Sequence, residues 1–293
     1  MHGLPNLGNT CYLNSVLQMF VSLKLLTYPQ DLRQFINSLN FPNVHSQNDQ
    51  HEFMMFLLNK MQTVASTKLL IRDIIPAPGI NINISKDIRY SSKIWKKAND
   101  NLYQYGYNIN NNAKSNSIYL SHASKFIGQR IYKKKCNNTT CGYVSVSFET
   151  FSSLDVILNN SLSELKHYLT NEYLSETECT MKCKKCGWNS ATSSVRIWKK
   201  PKIMLIALGR NVDARNKNNT YVEIPKQLNI SEISIFPQKR DYVLHGFLSH
   251  HGRSFNSGHC SYSYLHGDTW YTFDDNNVSN YVNYADAYII CYT

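Results

Sequence analysis

The stretch Gly3-Leu-Pro-Asn-Leu-Gly-Asn-Thr-Cys-Tyr-Leu-Asn-Ser-Val-Leu-Gln18 changes character at Cys11. Before it, Pro5, Asn6, Gly8 and Asn9 are turn formers. After it, Leu13, Val16, Leu17, Phe20 and Val21 recur at helical spacing, which predicts an amphipathic helix with Cys11 in its first turn. Unpaired N–H groups and the positive end of the helix dipole favour a thiolate there. A free thiol with a pKa of about 8.5 is only a few per cent ionised near neutrality, so a histidine partner is needed to complete the activation. On its own, Cys11 reads as a small buried hydrophobe, the usual fate of a free cysteine, and its partners reverse that reading.

The partners lie far down the chain. Ser257-Gly-His-Cys-Ser-Tyr-Ser-Tyr264 places His259 after a glycine and ahead of an alternating strand pattern. Asp268-Thr-Trp-Tyr-Thr-Phe-Asp-Asp275 follows and supplies a carboxylate fifteen residues after the histidine. A two-strand hairpin turning at His266-Gly267-Asp268 spans that distance, so cysteine, histidine and carboxylate can meet. His245, His250 and His251 are rival bases on or beside a predicted strand over 242–248, where a lone histidine is usually structural; the Gly-His context singles out His259.

With these residues the chain resembles the ubiquitin-specific protease family, the papain-like deubiquitinating enzymes. The similarity runs through a cysteine box (Gly3 to Gln18), the stretch Gln47-Asn-Asp-Gln-His-Glu-Phe53, a histidine box (Tyr242 to Asp275) and a closing Ala287-Tyr-Ile-Ile-Cys-Tyr292. Only about residues 68 to 125 carry no motif. The resemblance implies one α+β catalytic domain over 1–293, with a helical thumb (1–125), β-rich fingers (126–200) and a β-sheet palm (201–293). It implies a thiol isopeptidase that cleaves after the C-terminal glycine of ubiquitin, with a ubiquitin-like modifier or a catalytically silent ubiquitin-binding module as the alternatives.

Carried over by position, the resemblance makes Cys11 the nucleophile, His259 the general base and Asp274 its orienting partner, through the pattern Trp270-x-x-Phe273-Asp274. Asp275, on the opposite face by strand alternation, is the substitute. Asn6 matches the family's side-chain donor to the oxyanion, Asp49 the acidic residue that holds ubiquitin's basic tail, and Gln47 lies beside that tail. Without the resemblance, Asn6 is a turn residue and Asp49 a helix cap. Two positions depart from the family: Leu208-Gly-Arg-Asn211 stands where most members read Leu-Lys-Arg-Phe, and Cys260 stands where they have tyrosine.

Elsewhere, Ser46 and Asp49 resemble a capping box, and Phe53, Phe56, Leu57 and Met61 form a helical stripe widened by Met54 and Leu58. From Ile80 to Ser124 the chain is Asn-rich and weakly periodic, a loop-rich connection with one or two short helices. Alternation over 143–148 and 194–198, and apolar runs over 203–208 and 242–248, predict strands. Cys136 and Cys141 are separated by four residues and Cys183 and Cys186 by two, with Gly142 and Gly187 directly after each pair. Such knuckles turn two thiolates toward one ion, and four close a tetrahedral structural zinc site. In the family, pairs at these places tie down the fingers; Cys179 is an additional nearby thiol.

Composition bounds the rest. At 293 residues and 42% hydrophobic, the chain has room for two domains or one elaborated domain. No apolar run reaches membrane-spanning length, and the stretch from Val16 to Leu26 is broken by Gln18, Ser22 and Lys24, so neither a membrane partner nor a secretory signal is expected. Eight cysteines, four of them paired at short spacing, point to metal in a reducing compartment rather than to disulfides. The net charge of +11 raises a nucleic-acid partner, but the positive residues are dispersed and no recognition module is present, so none is expected. A monomer acting in the cytoplasm or nucleus is expected. Richness in Asn, Lys, Ile and Tyr is the drift of an AT-rich genome, which suits a virus or parasite acting within a host cell as well as a free-living organism.

Overall fold

The structure, a computed structural model, describes residues 2–61, 123–159, 163–212, 216–236, 241–254 and 257–293. Helix α1 (Cys11–Ser22) buries Leu13, Val16, Leu17 and Phe20, the residues whose spacing predicted it. Helix α2 (Leu32–Leu39) is capped by Asp31, which accepts the Gln34 N–H at 2.9 Å, and ends on Asn40 in the left-handed region. Helix α3 (Gln50–Met61) buries Phe53, Met54, Leu57 and Leu58 and leaves Phe56 half-buried. Its cap corrects the capping-box expectation. The Asp49 carboxylate itself accepts the N–H groups of His51 and Glu52 at 2.7 and 3.0 Å, whereas Ser46 closes a separate turn by donating its own N–H to Asn43. A charged carboxylate satisfying two helix-start donors leaves the box no task.

After a 3-10 turn (Ala123–Phe126), strands β1 (Gly128–Cys136) and β2 (Val144–Phe151) pair as an antiparallel hairpin. Strand β3 (Leu154–Ile157) and helix α4 (Leu165–Leu174) then leave it, and β4 (Thr177–Thr180) with β5 (Ser190–Lys199) returns to complete a four-stranded antiparallel sheet, order β2-β1-β5-β4. The remaining strands are β6 (Met204–Gly209), β7 (Gln227–Leu228), β8 (Tyr242–Ser254), β9 (Ser257–His266), β10 (Thr269–Asp274), β11 (Asn277–Ser279) and β12 (Ala287–Tyr292). With β3 they build an eight-stranded sheet, order β11-β10-β9-β8-β12-β6-β3, in which β7 pairs with β8 and β3 runs parallel to β6.

The 126–200 block is therefore not fingers throughout. Leu154 and Val156 alternate inward and dock β3 on the larger sheet, and α4 follows them because Leu165, Tyr168, Leu169 and Tyr173 need the same core. The expectation for 80–124 lies outside the described residues, apart from Ala123 and Ser124 in the 3-10 turn.

Strands β6 and β12 are apolar on both faces because both are covered. Leu205, Ile289 and Cys291 face a core shared with the three N-terminal helices, while Met204, Ile206, Leu208, Ile290 and Tyr292 face a second core under α4. Full burial of one such side chain is worth about 1.5–3 kcal/mol, so α1 is anchored firmly against β9, its principal neighbour in the sheet. Among the described residues no helix is long and apolar enough to cross a membrane.

Candidate active site

Cys11 is the first residue of α1, and the loop before it is built around Asn6. The Asn6 side-chain carbonyl accepts the N–H groups of Gly8 and Thr10 at 3.0 and 3.1 Å, and Gly8 (φ 100°) and Asn9 (φ 51°) take up the positive dihedrals the tight turn requires. The Asn6 amide nitrogen donates to Asp275 Oδ2 at 2.9 Å. Asn14, on the buried face of α1, donates to Asp275 Oδ1 at 2.7 Å, and Leu4 N–H donates to the Asp275 backbone carbonyl at 2.8 Å. Asp275 thereby ties the loop and α1 to the end of β10. Gly3 is needed at this seam, because a Cβ there would stand 2.4 Å from the Asn276 backbone.

The hairpin of β9 and β10 turns at Gly267, φ 59°, and pairs Phe273 with Tyr262. This register sets Asp274, the last residue of β10, beside His259 near the start of β9. The Asp274 carboxylate is bonded to His259 Nε2, which leaves Nδ1 for Cys11. Cys11 is pulled from its ordinary range down to about 5: the hydrogen bond with the Cys260 thiol lowers it most, burial opposes, and His259 and the Cys260 backbone N–H lower it further. His259 is pushed up to about 9 by its bond to Cys11, against burial, with Asp274 adding to the rise. Between those limits the pair is thiolate and imidazolium, the form that reacts as a nucleophile with a proton donor beside it.

The rival histidines are engaged elsewhere. His245 bonds Ser22 Oγ through Nε2 at 2.9 Å, and burial lowers it to about 4. His250 is buried and likewise lowered to about 4, by burial first and then by Lys217. His251 pairs across the strands with His259 but bonds Asp286 at 3.0 Å and Ser261 at 2.8 Å. Asp275 as the imidazole's partner is corrected: β10 ends at Asp274, Asp275 turns into the left-handed region, and its carboxylate reaches Asn6 and Asn14 instead. Gln47 donates to Asn9 Oδ1 at 3.4 Å, and Asp49, besides capping α3, accepts the Tyr288 hydroxyl at 2.9 Å. Gln47, Asp49, Glu52, Asn211 and Tyr288 line one open, mostly polar groove.

The two cysteine pairs meet at the far end of the four-stranded sheet. Cys136, Cys141, Cys183 and Cys186 place their sulfurs within 4.8 Å of one another, and none is in a disulfide. Cys136 and Cys186 sulfurs lie 3.6 Å apart, as do those of Cys141 and Cys183; four thiolates at about 2.3 Å around one tetrahedral ion stand at nearly this separation. Gly142 (φ 61°) and Gly187 (φ 77°) give each knuckle its left-handed residue. The donor set therefore fits a metal ion, and Cys179, on β4, is not part of it.

Several residues escaped the sequence. Asn14 was detectable only as a polar residue on an apolar helix face. Arg210 is fully buried and donates to the carbonyls of Ala287, Asn218 and Thr220 at 2.6–2.9 Å. Buried Lys217 donates to His250 O at 2.5 Å and pairs with Asp286 at 3.4 Å. Arg210 stood in the sequence only as the arginine of Leu208-Gly-Arg-Asn211, with no sign that it is buried, and nothing local marks Lys217, whose partners are distant in sequence.

Comparison with known proteins agrees with this geometry. The family model described as ubiquitin carboxyl-terminal hydrolase matches residues 2–38 and 26–292. Ubiquitin carboxyl-terminal hydrolase Usp2 of Drosophila melanogaster is 27% identical over 99% of this chain, and human ubiquitin carboxyl-terminal hydrolase 2 is 23% identical over 99%. The chain spans 34% and 54% of those relatives' own lengths. In fold it is similar to a solved chain of the SAGA Ubp8/Sgf11/Sus1/Sgf73 DUB module bound to ubiquitin aldehyde, with a TM-score of 0.65 at 19% identity, covering 100% of this chain and 69% of that one. A family match running almost end to end, on a chain whose helix-borne cysteine meets a strand-borne histidine, leaves one conclusion: the chain belongs to the ubiquitin carboxyl-terminal hydrolase family.

Proposed function

We propose that this chain is a deubiquitinating cysteine isopeptidase that hydrolyses the bond after the C-terminal glycine of ubiquitin. The observation that carries this reading is Cys11 at the start of α1, interacting with His259, whose Nε2 is held by Asp274. The Cys11 thiolate attacks the glycine carbonyl. The oxyanion accepts from the Cys11 backbone N–H and from the second amide proton of Asn6, the first being committed to Asp275. His259 gives its proton to the departing lysine amine, leaving a thioester; it then takes a proton from water, which releases the glycine carboxylate and restores the thiolate. Asp274 fixes the imidazole's orientation and tautomer.

Gln47 and Asp49 are assigned to the modifier's extended basic tail, supported by their place in a groove that also holds Glu52. A ubiquitin-like modifier is the second reading, because Asn211, at the place of the phenylalanine in the family's Leu-Lys-Arg-Phe pattern, lines that groove. Cys136, Cys141, Cys183 and Cys186 would hold one zinc ion, and four protein thiolates leave no position for a reacting water, so its role is structural. Free cysteines throughout suit a reducing compartment, cytoplasm or nucleus, and the chain is assigned to act as a monomer. Incubation with ubiquitin carrying a C-terminal electrophile should leave a covalent adduct on Cys11, and isopeptide-linked ubiquitin should be cleaved. An adduct only with a ubiquitin-like protein would move the substrate to the second reading; no adduct with either would make the chain a silent binding module.

A further inference from the structure

Helix α1 packs on β9 and ends at Ser22, while the face of the sheet it covers runs on past it. On that face Tyr262, Tyr264 and His266 follow one another along β9, Tyr271 of β10 stands opposite Tyr264, and Val278 of β11 stands opposite Phe273. Between the helix end and these strands lies a cavity of about 480 Å³, inside the range of about 300–1,000 Å³ typical of small-molecule sites. Its floor is buried Phe273 and Tyr264, its walls are half-buried Val21 and Tyr271, and its rim is exposed Lys24 and His266.

We propose that this cavity binds a small aromatic carboxylate. Its floor and walls are aromatic and aliphatic, a surface on which a flat ring sheds water and packs. No carboxylate lines the cavity, whereas Lys24 supplies an ammonium at its mouth and His266 a ring nitrogen; the charge that complements them is negative. The hydroxyls inside are already engaged, Tyr264 with His266 Nδ1 at 3.1 Å and Ser22 with His245 and Tyr262 at 2.9 and 2.7 Å. The polar end of a ligand is therefore directed to the rim. Among the described residues Lys24 forms no ion pair. It also stands at φ 56°, the left-handed position after a helix where glycine is usual, so a lysine is carried there against the backbone's preference.

The cavity is separate from the catalytic centre. Cys11 and Ser22 lie at opposite ends of α1, roughly 17 Å apart at about 1.5 Å per residue, and the cavity shares no residue with the groove that holds Gln47 and Asp49. The elements around it are nonetheless those of the triad: α1 carries Cys11, β9 carries His259 and β10 carries Asp274. A ligand seated there holds the three together and, binding the folded chain alone, raises its thermal midpoint. Neither Cys11 chemistry nor ubiquitin enters, so binding here is independent of whether the chain is a deubiquitinase.

The test is calorimetric titration of the full chain with naphthoate, alongside naphthylmethanol and naphthylmethylamine, which carry the same ring without charge and with the opposite charge. Naphthoate should occupy one site and raise the thermal midpoint with concentration. The alcohol should bind roughly tenfold more weakly or worse, and the amine more weakly still. Lys24→Glu, at an exposed position, should cost naphthoate roughly tenfold or more in affinity, while Lys24→Arg retains it. With ring-labelled tyrosines, the resonances of Tyr264 and Tyr271 should shift on binding, while that of Tyr288, in the other groove, stays. Equal affinity for acid and alcohol, an unchanged affinity in Lys24→Glu, shifts at Tyr288 rather than at Tyr264 and Tyr271, or no binding of naphthoate at all would overturn the proposal. The comparison of the three ligands uses the unaltered chain, so it decides even if Lys24→Glu fails to fold.

Discussion

At the scale of single residues, the thiolate and imidazolium are made by their neighbours. The expected consequence is a bell-shaped pH dependence of kcat/KM. Activity should rise as pH increases through about 5, where Cys11 loses its proton, and fall above about 9, where His259 loses its own. Because the Cys260 thiol is the largest cause of the Cys11 shift, Cys260→Ala should move the acidic limb toward neutral pH; an unmoved limb would remove Cys260 from the tuning. Cys11→Ser and His259→Ala should each lose turnover by several orders of magnitude, while His250→Ala stays comparatively active. Asn6→Ala should slow the chemical step roughly a hundredfold to a thousandfold, about 2.7–4 kcal/mol. Since Asp275 holds the Asn6 amide, Asp275→Ala should cost a similar factor, and the double variant should be no worse than the more damaging single one. Additive losses, measured in single-turnover assays, would show that the two act separately.

At the scale of elements, the four-stranded sheet is too thin to rely on apolar burial at its far end, where the described packing is Cys136, Cys141 and Cys183 with half-buried Tyr143. A metal ion is the natural tie for two knuckles joined by so little else. The purified chain should contain about one zinc. Chelation should loosen this sheet in hydrogen exchange and weaken modifier binding, leaving the reactivity of Cys11 toward a small alkylating reagent unchanged. Cys183→Ser should lose the metal and Cys179→Ser should keep it, read by elemental analysis; the reverse would reassign the ligands. The knuckles were legible in the sequence because two cysteines and a glycine at short spacing define them. The α3 cap was legible only in outline, since Asp49 and Ser46 are both cap-forming types and only the helix start, at Gln50, decides between them.

At the scale of the whole molecule, one sheet carries two cores, and the site sits where α1 meets the edge of β9 and β10. Behind it, Lys217 is buried to 1% side-chain exposure and is compensated by Asp286, which also holds His251. Removing one partner of a buried pair costs about 3–5 kcal/mol because the remaining charge is left without compensation. Asp286→Ala should therefore lower the unfolding free energy obtained from denaturant titration by up to about that much, and adding Lys217→Met should restore much of the loss. Failure of the second change to rescue the first would place the contribution of Asp286 in its bond to His251 rather than in the ion pair.

What the sequence determined by itself was local. The turn-to-helix junction at Cys11, the alternating strands, the hairpin at Gly267 and the cysteine knuckles are all written in residue type and spacing over a few positions, because backbone dihedrals and side-chain period are set over that range. Tertiary structure decided which of several chemically equivalent groups does what. Asp274 and Asp275 differ by one step of a strand, and only the end of β10 sends one carboxylate to His259 and the other to Asn6 and Asn14. In the same way, only the docking of α1 on β9 brings Cys11 to the strand that carries His259, and only the pairing with β6 draws β3 out of the block its sequence position suggested. These choices depend on how segments distant in the chain pack on one another, whereas turn chemistry and side-chain period fix register only within a hairpin.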